Sequence, residues 1–81
     1  MSSRAVSESS QRVARATATF MVDHGITQTQ VAQALGRAQG YVSEHLTGAR
    51  AIELDLIDAV ASLAGVSPYT LLAELADAAA P

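Results

Sequence analysis

Apolar residues recur along this chain at intervals of three and four, and glycines interrupt that pattern at positions 25, 36, 48 and 65. A spacing of three and four is the period of an α-helix with one buried face. Glycine directly after such a stretch is a common helix end, because the residue that follows the last turn often takes a left-handed conformation. No stretch alternates polar and apolar residues over the length of a strand. The pattern therefore predicts an all-α chain of short helices.

Capping residues predict where five helices begin. Ser7, Ser9 and Ser10 are alternative N-caps of the first helix, Thr27 precedes the second, and Ser67 with Pro68 begins the fifth. We expect helices near residues 10–24, 28–35, 39–46, 52–64 and 68–77, in one domain of residues 10–78 after a flexible, serine-rich arm of residues 1–9. The residues expected to face the core are Val13, Thr17, Phe20, Met21, Val31, Ala32, Leu35, Val42, Leu46, Leu54, Leu56, Ile57, Val60, Ala61, Leu63 and Ala64.

The composition narrows the classes of protein. The chain contains no cysteine, which excludes disulfides and thiolate metal sites. No segment approaches the roughly 20 consecutive apolar residues that cross a bilayer, and residues 1–10 lack the apolar stretch of a secretory signal. We therefore expect a cytoplasmic protein with no membrane partner.

The net charge of −3 is unevenly distributed. Residues 1–50 contain all five arginines against three acidic residues, whereas residues 51–81 contain five acidic residues and no basic one. Such asymmetry favours a protein that binds an anion with one face and makes a different contact with another face. The alternative is that these charges are solvated and have no partner.

Two runs resemble the phage repressor/Cro-type helix-turn-helix family. In "ITQTQVAQALGRAQGYVSEHLTGAR" the matching elements are "TQ", "VA", "LG" and "VS", followed by Gly48, which lies 12 residues after the glycine of "LG". Downstream, "LIDAVASLAGVSPYTLL" is similar to the ending of that family's domain, with Ala64 in place of a leucine. The likeness covers about residues 10–76, and the ordered set of elements is much more specific than any one of them.

The resemblance implies that helix 39–46 lies in the major groove of double-stranded DNA, while helix 28–35 crosses the backbone. Gln39, Gly40, Ser43 and Glu44 then stand at base edges. The residues expected to contact phosphate are Gln28, Tyr41, Thr47, Gly48 and Arg50, together with Arg37, which we add because of its charge and its place in the turn.

Several of these residues have alternative interpretations. Gly40 either lets the backbone approach DNA closely or ends a longer turn. Glu44 either accepts a hydrogen bond from cytosine or is a solvated charge that lowers affinity, and Gln39 is suited to adenine. Tyr41 either packs back on the preceding helix or places its hydroxyl on a phosphate.

Two further residues fall outside the family pattern. His45 stands where the family usually has an aliphatic residue, and we expect it to be partly buried and neutral. Arg4 either enters a minor groove or belongs to a disordered arm.

The sequence predicts a transcriptional regulator rather than an enzyme. It contains neither H-E-x-x-H nor G-x-S-x-G nor a phosphate-binding loop. We expect a phage repressor or Cro-like protein without a cofactor, metal or small-molecule ligand, acting as a homodimer. Leu71, Leu72 and Leu75 are candidates for the dimer contact, with core packing as the alternative. The alternative function is a protein-protein interaction module of the same fold, such as an antirepressor or an antitoxin-like adaptor.

Overall fold

The computed structural model describes residues 5–81, which form five α-helices and no strand. Their bounds are α1 (Glu8–Asp23), α2 (Gln28–Leu35), α3 (Gln39–Leu46), α4 (Leu54–Ala64) and α5 (Pro68–Ala79). The first helix begins inside the segment expected to be an arm, and the fourth begins two residues later than expected. Arg4, the candidate minor-groove residue, lies outside the described residues.

Three helices begin at side-chain caps. Ser7 is the serine that caps α1, where its hydroxyl accepts the N–H of Ser10 at 3.1 Å. Thr27 caps α2 in a reciprocal arrangement: its hydroxyl accepts the N–H of Gln30, and the Gln30 side chain accepts the N–H of Thr27. Ser67 caps α5 ahead of Pro68. These caps satisfy amide groups that would otherwise be left without a partner at a helix start.

The helices pack into one core. α1 lies against α5 and α3, α2 against α3 and α4, and α4 against α5. The radius of gyration, 12.1 Å, is close to the roughly 12 Å of a compact chain of this length. The largest fully buried side chains are Leu56, Ile57, Leu71, Leu75, Val31, Val42, Val60 and Thr17.

Core packing was one of two interpretations of the leucines in α5, and it is the one that the structure shows for two of them. Leu71 and Leu75 are 0 % and 2 % exposed, and Leu72 is half-buried. One expectation about α4 was wrong. Leu54 and Leu63, expected in the core, are 67 % and 41 % exposed. The inward face of α4 is centred on Leu56 and the residues one turn later, and residues 5–81 leave most of Leu54, the first residue of the helix, exposed.

Within residues 5–81 no single helix is long and apolar enough to cross a membrane. Joined together, α4 and α5 would satisfy those criteria of length and composition, but the chain bends by 109° between them.

Candidate functional site

The connection between α2 and α3 is three residues long. Gly36 has φ +67°, a left-handed conformation that glycine adopts without strain. The N–H of Arg37 then donates to the carbonyl of Ala32 at 2.9 Å, which closes the end of α2 and redirects the chain. Ala38 follows in an extended conformation and has no polar side chain to cap α3. The first amides of α3 are therefore not satisfied by a side-chain cap.

Helix α3 has two chemically different faces. Val42, His45 and Leu46 are buried. The residues expected at base edges, and Thr47 after them, lie on the opposite face: Gln39, Gly40, Glu44 and Thr47 are exposed, and Ser43 is half-exposed. Residues four apart share one side of a helix, so the pattern of burial places these five positions together. We call these five residues the outer face of α3.

Gly40 is part of α3 and does not end a turn, so that interpretation was wrong. A methyl group at this position would meet no atom within 4 Å, the helix's own backbone and the chain neighbours aside. Packing among residues 5–81 therefore supplies no reason for glycine here. The close-approach interpretation, in which something outside the chain comes near this backbone, remains a prediction.

Arg50 is tied to Glu44 through both its backbone and its side chain. Gly48, with φ +86°, turns the chain after α3, and a Cβ there would also lie 3.3 Å from Cγ of Gln11. The returning chain lets the N–H of Arg50 donate to the Glu44 carbonyl at 3.0 Å. The Arg50 Nε also lies 3.0 Å from Oε1 of Glu44, in a pair whose side chains are 62 % and 52 % exposed. The loop thus brings a cation to the outer face of α3.

Arg37 and Tyr41 begin a second cluster, which continues into α4. The guanidinium of Arg37 lies 4.7 Å from the centre of the Tyr41 ring, within the range of a cation–π contact. The Tyr41 hydroxyl donates to Oε1 of Glu53, the residue that precedes α4. The Tyr41 ring thus contacts Arg37 and His45, and its hydroxyl already has a partner in Glu53.

His45 is the buried member of this cluster, with 3 % exposure. Its Nδ1 lies 2.7 Å from the carbonyl oxygen of Tyr41, so this nitrogen carries a proton and donates it. Its Nε2 lies 3.0 Å from Oε1 of Glu53. Burial lowers the pKa of His45, and the positive charge of Arg50 acts in the same direction, while Glu44 opposes both. The histidine thus joins α3 to Glu53, the residue that precedes α4.

Glu53 is the site residue that sequence reasoning missed. Its carboxylate meets His45 and Tyr41 and makes no capping hydrogen bond to its own helix. The available signals were indirect: glutamate is a poor N-cap residue, and a histidine stood at an expected core position. Neither signal identifies the partner, because the contact depends on how α3 and α4 pack.

The two remaining site features need only brief description. Gln28, the first residue of α2, is half-buried. An open cleft of about 770 Å³ runs past Arg37, Tyr41, His45, Arg50 and Glu53, so both candidate arginines border one concave surface.

Comparison of the sequence with protein-family models and with curated proteins finds no match. The geometry therefore carries the functional argument. Among residues 5–81, no group of three histidine, aspartate or glutamate side chains is arranged to hold a metal ion.

Proposed function

We propose that this protein is a sequence-specific DNA-binding transcriptional regulator of the phage-repressor or Cro type. The observation that carries the proposal is the outer face of α3, whose exposed residues stand opposite a buried face, with Arg37 before the helix and Arg50 after it in the chain. An α-helix with its side chains is about 10–12 Å in diameter. The major groove is about 12 Å wide and admits such a helix.

In this proposal α3 reads base edges. The amide of Gln39 bonds adenine with both its oxygen and its nitrogen, and the carboxylate of Glu44 accepts from the amino group of cytosine. Gly40 brings the helix backbone close to the DNA, and Ser43 contributes a hydroxyl. A half-site with adenine and cytosine within a few base pairs is the expected sequence.

The phosphate contacts surround that face. Arg37 and Arg50 supply charge, while Gln28, Thr47 and the backbone at Gly48 supply hydrogen bonds. Tyr41 contributes through its ring, which holds Arg37, because its hydroxyl bonds Glu53. Four of the eight acidic residues lie on α4 and α5, so much of the negative charge is carried by helices other than α3, while Glu44 and Glu53 lie beside the two arginines.

Two copies on two half-sites would double these few contacts. The dimer contact does not use Leu71 or Leu75, since both belong to the core. Binding to an operator in the cytoplasm would then exclude polymerase from the promoter.

The test is selection of binding sites from random DNA, followed by titration of the full chain on the selected duplex across a salt series. Gln39→Ala is expected to relax the preference at adenine by roughly 1–3 kcal/mol. Arg50→Ala is expected to weaken binding on the selected duplex and to reduce the salt slope by about 0.9, one phosphate contact. Gln33→Ala and Arg15→Ala, at exposed positions of α2 and α1, are the matched controls.

A protein-protein interaction module is the second candidate, and one observation favours it. Leu63, Val66 and Tyr69 are exposed around the turn between α4 and α5, in the acidic half of the chain. The same experiment separates the two candidates. If no DNA sequence is enriched, and if the residual binding to DNA is insensitive to salt and to Arg50→Ala, the protein-protein module would replace the DNA proposal.

A further inference from the structure

One of the two candidate phosphate-binding arginines is already paired with a carboxylate. Arg50 lies at the end of the outer face of α3, and its Nε is 3.0 Å from Oε1 of Glu44, a residue of that same face. A phosphate oxygen and a carboxylate oxygen compete for one guanidinium, because both are anionic acceptors. Close approach of the unopened pair to DNA brings a carboxylate toward phosphate and contributes no net charge.

The pair is built to open without moving the backbone. The Arg50 N–H to Glu44 carbonyl hydrogen bond holds the loop in place independently of the side chains. Both side chains are more than half exposed, so the pair itself is weak. An exposed ion pair changes an equilibrium constant by about 1.4- to 5-fold.

We propose that the Glu44–Arg50 pair is a latch that links base recognition to phosphate binding, and this inference rests on the proposed function. Where a base with an amino donor faces α3, the Glu44 carboxylate moves to that donor and Arg50 moves to a phosphate. Where no such base is present, the pair stays closed, Arg50 contributes little, and the carboxylate repels the backbone. Glu44 is then a specificity-determining residue that weakens binding to wrong sequences.

The charge of the surrounding surface supports this arrangement. Each candidate phosphate-binding arginine has an acidic residue in its own cluster: Glu44 pairs with Arg50, and Glu53 holds the tyrosine on which Arg37 lies. With two arginines and two carboxylates the resting surface has little net attraction for phosphate. Binding to arbitrary DNA depends mainly on such attraction.

A double-mutant cycle on random-sequence duplex DNA tests the latch. The proteins are the wild type, Glu44→Gln, Arg50→Ala and the double variant, titrated at several salt concentrations. We expect Glu44→Gln to tighten binding several-fold. We also expect Arg50→Ala to cost about 1.4- to 5-fold more affinity in the Glu44→Gln background than in the wild type. Asp58→Asn removes the same charge from an exposed position on α4 and is expected to leave the cost of Arg50→Ala unchanged.

The sign of the coupling decides the outcome. Equal costs of Arg50→Ala in both backgrounds, or a smaller cost with Glu44→Gln, would overturn the latch while leaving DNA binding intact. The smaller cost would mean that the carboxylate positions Arg50 for phosphate. If the wild type and Glu44→Gln bind DNA without salt dependence, both the latch and the proposed function are overturned.

A second measurement compares the selected duplex with random DNA. The salt slope of the wild type should be steeper on the selected duplex by about 0.9, the contribution of one released arginine. With Glu44→Gln this difference between the two salt slopes should disappear. The ratio of the affinity for the selected duplex to the affinity for random DNA should then fall. An identical difference in slope for both proteins would refute the exchange of partners.

Discussion

Replacement of Gly40 by alanine separates the stability of α3 from its proposed contact with DNA. Glycine inside a helix costs about 1 kcal/mol relative to alanine, and the cost is smaller in the first turn, where Gly40 lies. A methyl group there meets no other part of the fold within 4 Å, so no steric cost offsets the gain. We expect Gly40→Ala to stabilise the protein by about 0.5 kcal/mol, which corresponds to a rise in Tm of about 2–4 °C.

The same methyl group should weaken binding to DNA. If the helix backbone at Gly40 lies against the groove, an added methyl overpacks that contact, at a cost of about 1–3 kcal/mol. The dissociation constant on a selected duplex would then rise by about 5- to 150-fold. Thermal unfolding followed by circular dichroism gives the stability, and fluorescence anisotropy with a labelled duplex gives the affinity.

Gly36→Ala is the control for this experiment. Its φ of +67° is strained for any residue with a Cβ, so this variant should lose about 1–2 kcal/mol of stability. A fall in Tm with Gly40→Ala would refute our account of the helix. A rise in Tm with unchanged DNA affinity would refute the close approach.

Three other predictions concern the fold and its histidine. Thr27→Ala removes the reciprocal cap of α2 and should lower the free energy of unfolding by about 1 kcal/mol in urea titrations; a change below 0.3 kcal/mol, roughly, would contradict that role for the cap. The lowered pKa of His45 means that the unfolded chain takes up this proton first, so the free energy of unfolding should fall as pH drops from about 7.5 through 6.5. His45→Gln should flatten this pH dependence. Leu71→Ala opens a cavity in the core and should cost about 2–5 kcal/mol, measured by the same titrations, and sedimentation of the folded fraction should show an unchanged oligomeric state.

Local signals in the sequence predicted the helices well. Caps such as Thr27 and the glycines after α2 and α4 act through their immediate neighbours, so the chain itself specifies those ends. The outer face of α3 also followed from spacing, because burial of Val42 and Leu46 fixes which positions point away. Local chemistry and helical period are sufficient for such features.

Features that depend on packing were not predictable in this way. The exposure of Leu54 depends on which part of α4 its neighbours cover. The contacts of Glu53 with His45 and Tyr41 join residues from two helices. The Glu44–Arg50 pair requires the chain to reverse at Gly48 before residues six apart can meet. In each case the decisive distance is set by tertiary structure, which spacing along the chain does not encode.

The division of α3 into two faces has an evolutionary consequence. Anchoring contacts of this helix use its inner side, through Val42, His45 and Leu46, and most side chains of its outer side are free of the core. If α3 reads DNA as proposed, mutations at the outer positions therefore change recognition at little cost to folding. New target preferences would then arise through single substitutions at these positions. The five outer residues could also be replaced as a set in a designed protein that keeps the same core.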